Sequence, residues 1–185
     1  MKKILLAIAF LGILLLPIKI YTLDSIEVFS GYLEANIREK NEYQGIPLFI
    51  AFNFDANPTF SNIGLEPEGD LNFVVEPFFH TIISPDLNIE IGSNFLMKYS
   101  YPLTERIHPY AKGGLGVVFM TQHTREQSTQ YNFLPQVGGG IQFFLNEITA
   151  LSLEYRYRHL SNASFKRPNK GIDTNLILTG ISYFF

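Results

Sequence analysis

The stretch "NIEIGSNFLMKYSY", residues 88–101, constrains the fold of this chain more than any other feature. Its odd positions, Ile89, Ile91, Ser93, Phe95, Met97, Tyr99 and Tyr101, are mostly apolar or aromatic, whereas Asn88, Glu90, Gly92, Asn94, Leu96, Lys98 and Ser100 are mostly polar. Successive side chains point to opposite faces in an extended strand, so a two-residue period implies a β-strand with one greasy and one polar side. The contrast recurs elsewhere. Tyr131, Phe133, Val137, Ile141 and Phe143 alternate with Asn132, Gln136, Gly138, Gly140 and Gln142; Leu151, Leu153, Tyr155 and Tyr157 alternate with Ser152, Glu154, Arg156 and Arg158. In a further segment Ile107, Leu115, Val117 and Phe119 oppose His108, Lys112, Gly114 and Gly116.

Segments of this kind, bounded by Pro, Gly, Asn and Asp, predict eight strands at roughly 25–36, 45–56, 70–82, 88–101, 107–120, 131–145, 149–161 and 173–185. No long helical period competes with them. The chain of 185 residues is long enough for one domain, and its 17 Phe and 10 Tyr with no Cys suit strands without disulfides or thiolate metal sites. A net charge of -3 without a basic run gives no reason to expect a nucleic-acid partner.

Alternation alone fits either a soluble barrel, greasy inside, or a membrane barrel, greasy outside. Three features favour the membrane. Lys2 and Lys3 precede the apolar run Ile4 to Leu16, closed by Pro17, which has the form of a secretory signal and is too short for a spanning helix. Aromatic residues cluster near strand ends, as in an interfacial girdle. Glu76, Glu90 and Glu154 share the polar faces with Lys98, Lys112, Arg156 and Arg158, so opposite charges can pair inside a narrow lumen. The expectation is an all-β chain, an eight-stranded antiparallel outer-membrane β-barrel with a filled polar interior and no pore. A signal peptide is expected over residues 1–22, with no A-x-A site to place its cleavage, and the transmembrane barrel over 23–185. The ending "GISYFF" resembles the C-terminal strand of bacterial outer-membrane barrels.

Such barrels begin and end on the periplasmic side, which puts the "RYRHLSNASFKRPNKGIDTN" stretch, residues 156–175, at the outer end of the last hairpin. His159 and Ser161 share the parity of Leu151, Leu153, Tyr155 and Tyr157, so both are expected to face lipid near the outer interface. On pattern alone two readings stay open: the pair marks where the strand leaves the membrane, or it is a base beside a nucleophile. In the second, Asp173 opposite His159 on the return strand would orient the imidazole, and Asn162 and Asn169 would supply donors to an oxyanion. Pro168 and Gly171 would bend the loop back over the pair.

His159, Ser161 and Asn162 within "HLSNAS", followed by "PNKG" and an acidic residue fourteen places after the histidine, resemble the active-site region of the PagL family, the lipid A 3-O-deacylases. The family fold is an eight-stranded outer-membrane barrel, so the likeness extends over essentially all of the chain after the signal. The resemblance implies Ser161 as nucleophile, His159 as general base, Asp173 as orienter and Asn162 and Asn169 near the oxyanion. It also implies lipid A of lipopolysaccharide as substrate, hydrolysis of its 3-ester, and release of a 3-hydroxy fatty acid. The family's acid is commonly Glu, and Asp173 is one methylene shorter. That length requires either a closer backbone approach or a bridging water.

Elsewhere, His80 and His108 fall on polar faces as expected hydrogen-bonders, and His123 lies in the loop "TQHTREQSTQ". The "VGGG" run at Val137 to Gly140 is better explained by strand packing than by phosphate binding. No metal-ligand spacing is present, and no cofactor is expected. The alternatives to an esterase are a small outer-membrane barrel with a structural or adhesive role and, more distantly, a soluble lipocalin-like carrier. Sequence leaves the oligomeric state open, a homodimer included.

Overall fold

The computed structural model describes residues 22–35, 37, 42–124 and 126–185; apart from Thr22, the expected signal segment lies outside them. Eight strands follow one another: β1 (Leu23–Ala35), β2 (Tyr43–Asp55), β3 (Asp70–Ser84), β4 (Asn88–Ser100), β5 (Ile107–Met120), β6 (Tyr131–Asn146), β7 (Thr149–Leu160) and β8 (Ile172–Phe184). Each pairs antiparallel with the next, and β8 returns to β1, so the sheet closes on itself. Closure leaves no row of unpaired backbone groups facing lipid, the condition for a sheet to cross a bilayer. The strands run from 12 to 16 residues, enough for a tilted crossing with some excess at the rims.

The expected inversion of faces is present. Ile50, Ile91, Val117, Ile141, Leu153 and Ile177 are exposed on the outer wall. The sign of alternation, unclear from sequence for the first, second and last strands, is also settled: odd residues of β1 and β2 and even residues of β8 turn inward.

Inside, charged groups are paired. Arg156 bridges Glu76 and Glu154, Lys112 reaches Glu76 at 3.2 Å and Glu154 at 2.8 Å, Lys98 meets Glu27 at 2.6 Å, and Arg158 meets Glu90 at 2.7 Å. All are almost fully buried, so each ion needs its partner: removing one member of such a pair costs about 3–5 kcal/mol. Tyr110 joins them by donating to Glu154 at 2.8 Å. The glycine run of β6 makes its room, since a Cβ at Gly140 would lie 2.8 Å from the Tyr110 ring.

The interior is not polar throughout. Toward the end of the barrel opposite the chain termini, Leu33, Tyr43, Ile82, Met120, Leu134, Leu160 and Ile172 form an apolar plug. Above it lie the β5–β6 loop, residues 121–130, and the β7–β8 loop, residues 161–171. Membrane barrels carry their longer loops at the end away from the termini, and one connection here departs from that pattern. Residues 56–69, between β2 and β3 at the terminal end, form the longer segment and carry the short helix α1 (Asn57–Ser61). Asn57 folds it onto the rim: its N–H donates to Asp55 Oδ1 at 2.9 Å, and its Oδ1 accepts the Leu71 N–H at 3.0 Å.

Candidate active site

The site begins with Leu160, which is 1% exposed in the apolar plug. Burying a leucine side chain is worth about 1.5–3 kcal/mol, so the inward direction of Leu160 is strongly held. Alternation then turns both its neighbours, His159 and Ser161, onto the outer wall, where each is partly exposed. The β6–β7 ladder stops at Gln136↔Arg158 and resumes only at an isolated bridge between Phe133 and Ser161. Pro135, which has no N–H to donate, falls in that gap. The bridge itself is tight, with Phe133 N–H donating to Ser161 O at 2.7 Å and Ser161 N–H to Phe133 O at 3.0 Å.

On the other side, β7 and β8 pair His159 directly with Asp173. His159 Nδ1 and Asp173 Oδ1 are 2.6 Å apart. The shorter acid therefore reaches the imidazole directly, by the close backbone approach of opposed residues and without a water between them. With Nδ1 facing the carboxylate, Nε2 is the nitrogen left to take a proton. Gly171 lies against the ring, and the Tyr157 phenol stands beside the Asp173 carboxylate.

Ser161 Oγ is held by Asn169, whose Nδ2 lies at 3.1 Å, and by the Ala163 N–H at 3.2 Å. Asn169 Oδ1 accepts the Asn162 N–H at 3.0 Å and lies 3.3 Å from Ser161 Oγ, so both ends of that amide sit beside the hydroxyl. Asn162 behaves differently from Asn169. Its side chain is buried and folds the loop, accepting Ser164 N–H at 3.0 Å and donating to Lys166 O at 2.9 Å and Ser128 Oγ at 3.2 Å. These bonds hold Ala163 and Ser164 at positive φ, 53° and 66°. Thus the Asn162 side chain turns away from the serine while its N–H stays in the cluster. His159 and Ser161 project from the same face two residues apart, and the serine hydroxyl is bonded to Asn169 rather than to the imidazole.

Two surfaces flank this cluster. An apolar groove of about 410 Å³ runs along the outer wall past Ile91, Val117, Phe119, Tyr131, Phe133 and Phe165. Phe133 is the bridge partner of Ser161, and its ring packs on Phe165 with centroids 6.2 Å apart. On the Asp173 side, a polar cavity of about 600 Å³ at the mouth is lined by Glu34, Gln44, Lys170, Gly171 and Asn175 among others. Sequence reasoning anticipated a groove on the outer wall without naming its lining, whose residues are mostly ordinary lipid-facing positions; the outward parity shared by Tyr131 and Phe133 was the available signal. The other histidines lie apart from the cluster. His80 is buried against Glu90 at 2.9 Å, His108 packs on Phe144 with centroids 4.5 Å apart, and His123 is in the β5–β6 loop.

A closed barrel with an apolar outer wall and paired charges within defines an outer-membrane β-barrel protein. Residues 62–182 match the family described as Lipid A 3-O-deacylase (PagL); the chain belongs to that family and is thereby an outer-membrane hydrolase. Among solved structures, the outer membrane enzyme PagL is similar with a TM-score of 0.62, at 16% identity over 84% of this chain and 97% of that one. Neisserial surface protein A is similar with a TM-score of 0.64, at 14% identity over 87% of this chain and 96% of that one. Ail, the attachment invasion locus protein of Yersinia pestis, follows with a TM-score of 0.51, at 13% identity over 89% of this chain and 100% of that one. These likenesses concern the fold, which PagL shares with a surface protein and an attachment protein. No curated protein matches the chain in sequence.

Proposed function

We propose that the chain hydrolyses the ester at position 3 of lipid A, with Ser161 as nucleophile, His159 as general base and Asp173 as the group that orients the base. In this reading the Ser161 hydroxyl turns from Asn169 toward His159 Nε2, gives up its proton and attacks the ester carbonyl. The imidazolium is stabilised by Asp173, and His159 then passes the proton to the departing sugar oxygen. Water attacks the resulting acyl-serine by the same proton relay, and a 3-hydroxy fatty acid leaves. Asn169 Nδ2, already beside Oγ, is the donor for the oxyanion, and the Asn162 N–H holds that amide in place by donating to its Oδ1. The Asn162 side chain serves that step by shaping the loop.

One observation carries the reading: an imidazole held at 2.6 Å by a carboxylate faces outward beside a serine, between a polar cavity and an apolar groove. That boundary suits an amphiphile whose ester lies at the junction of sugar and acyl chains. The substrate reaches the wall by lateral diffusion in the outer leaflet, and the groove is positioned to accept the acyl chain. Mass spectrometry of lipid A from cells with and without the protein tests the reaction; loss of one ester-linked chain is expected. Purified in detergent, the wild type should release hydroxy fatty acid from lipopolysaccharide, and Ser161→Ala or His159→Ala should lower the rate by about 10³-fold or more. Equal release by wild type and Ser161→Ala would remove the reading.

A further inference from the structure

The site loop does not stand alone on the barrel rim; it is laid against the β5–β6 loop. Ser128 N–H donates to Pro168 O at 3.1 Å, and Lys170 N–H donates to Glu126 O at 2.9 Å. Between these bonds Gln127 and Asn169 form an isolated antiparallel bridge. Gln127 is only 6% exposed, and its Nε2 donates to Leu160 O at 3.2 Å. Leu160 is the residue that separates His159 from Ser161. Gln127 thus sits opposite Asn169, in a bridge whose bonds are made by its chain neighbours, and its side chain holds the peptide between base and nucleophile.

From this side-chain bond, and from the place of Gln127 opposite Asn169, we propose that Gln127 is a positioning residue for ester hydrolysis, an inference that rests on the roles assigned above to Ser161, His159 and Asn169. The physical reason is tolerance. Reacting groups must be held within a fraction of an ångström, and a misplacement of about 1 Å costs on the order of 10²-fold in rate. The neighbouring strand gives the β7–β8 loop little support, because the ladder to β6 is interrupted at Pro135 and resumes with one bridge. The side-chain link is a single bond: Gln127 Oε1 has no hydrogen-bond partner among the described residues. A near-isosteric side chain without a donor removes that bond alone. A carboxylate would set two acceptors face to face.

The test compares full-length wild type, Gln127→Met, Gln127→Glu and Ser161→Ala, refolded in detergent. It reads kcat and KM on lipopolysaccharide, heat-modifiable migration of the folded barrel, and the rate at which a long-chain alkyl fluorophosphonate labels Ser161. For Gln127→Met the expectation is a kcat lower by about 10- to 100-fold, a KM within about twofold and slower labelling, in a barrel that still migrates as folded. Gln127→Glu should lose more. A kcat within about twofold of wild type in both folded variants would overturn the inference, while an inactive Ser161→Ala beside them leaves the esterase reading in place. Loss of activity that follows loss of the folded barrel in both variants also overturns it. A Ser161→Ala protein as active as wild type overturns both readings together.

Discussion

Gly171 lies against the imidazole of His159, so closely that a Cβ at this position would come 2.2 Å from the ring's Cε1 and 2.8 Å from its Nε2. Its φ of +77° is also one that side chains disfavour, so conformation and space both call for glycine. The two pressures bear on the ring that, in the proposed reaction, carries the proton. Gly171→Ala is therefore expected to lower kcat on lipopolysaccharide by about 10- to 100-fold while the barrel remains folded. Hydrolysis rates set beside heat-modifiable migration check this; a fully active Gly171→Ala protein would show that the ring can sit elsewhere without cost.

Asp173 reaches His159 directly, and what the imidazole needs from it is a negative charge at Nδ1. Asp173→Asn keeps the shape and removes the charge, so hydrolysis should fall by about 10²- to 10⁴-fold. Asp173→Glu keeps the charge on a largely exposed side chain with room to change rotamer, and should stay within about tenfold of wild type. Equal rates for the Asn variant and wild type would mean that the carboxylate takes no part.

The groove beside Phe133 should set chain-length preference if the acyl chain lies there. Val117 lines it from β5, half-exposed on the outer wall. Val117→Trp fills part of the groove without altering a polar contact. Hydrolysis of a long-chain p-nitrophenyl ester should show a KM raised by about tenfold, whereas a butyrate ester should be turned over as by wild type. Parallel losses on both esters would point to damage at the serine instead.

Stability is expected to answer to the lumen rather than to the site. Glu76 accepts from Arg156 and Lys112 and is fully buried, so Glu76→Ala leaves two cations short of a partner. A loss of about 3–5 kcal/mol is expected, read as a lower urea midpoint of the barrel in lipid vesicles. An unchanged midpoint would mean that water or a neighbouring carboxylate takes over the role of Glu76.

Much of the barrel was legible because strand alternation is a local property. The eight segments anticipated from "NIEIGSNFLMKYSY" and its counterparts lie within a few residues of the strands observed, and the charges expected in the lumen are paired there. His159 and Ser161 were placed outward by the same arithmetic, since Leu160 between them carries the opposite parity. The pairing of Asp173 with His159 was within reach because a hairpin joins their strands.

Less local features were not legible. The sequence by itself determined which faces of β4 to β7 are apolar, how many strands there are, and that His159 and Ser161 share a wall with lipid, because a period of two is written into those segments. Only the tertiary structure decided that Asn162 turns inward while Asn169 meets the serine, that aromatic residues of β5 and β6 form a groove beside it, and that Gln127 reaches the carbonyl of Leu160. Those arrangements join residues in loops that have no period, brought together when β8 closes on β1, and no spacing along the chain encodes which loop will lie across which.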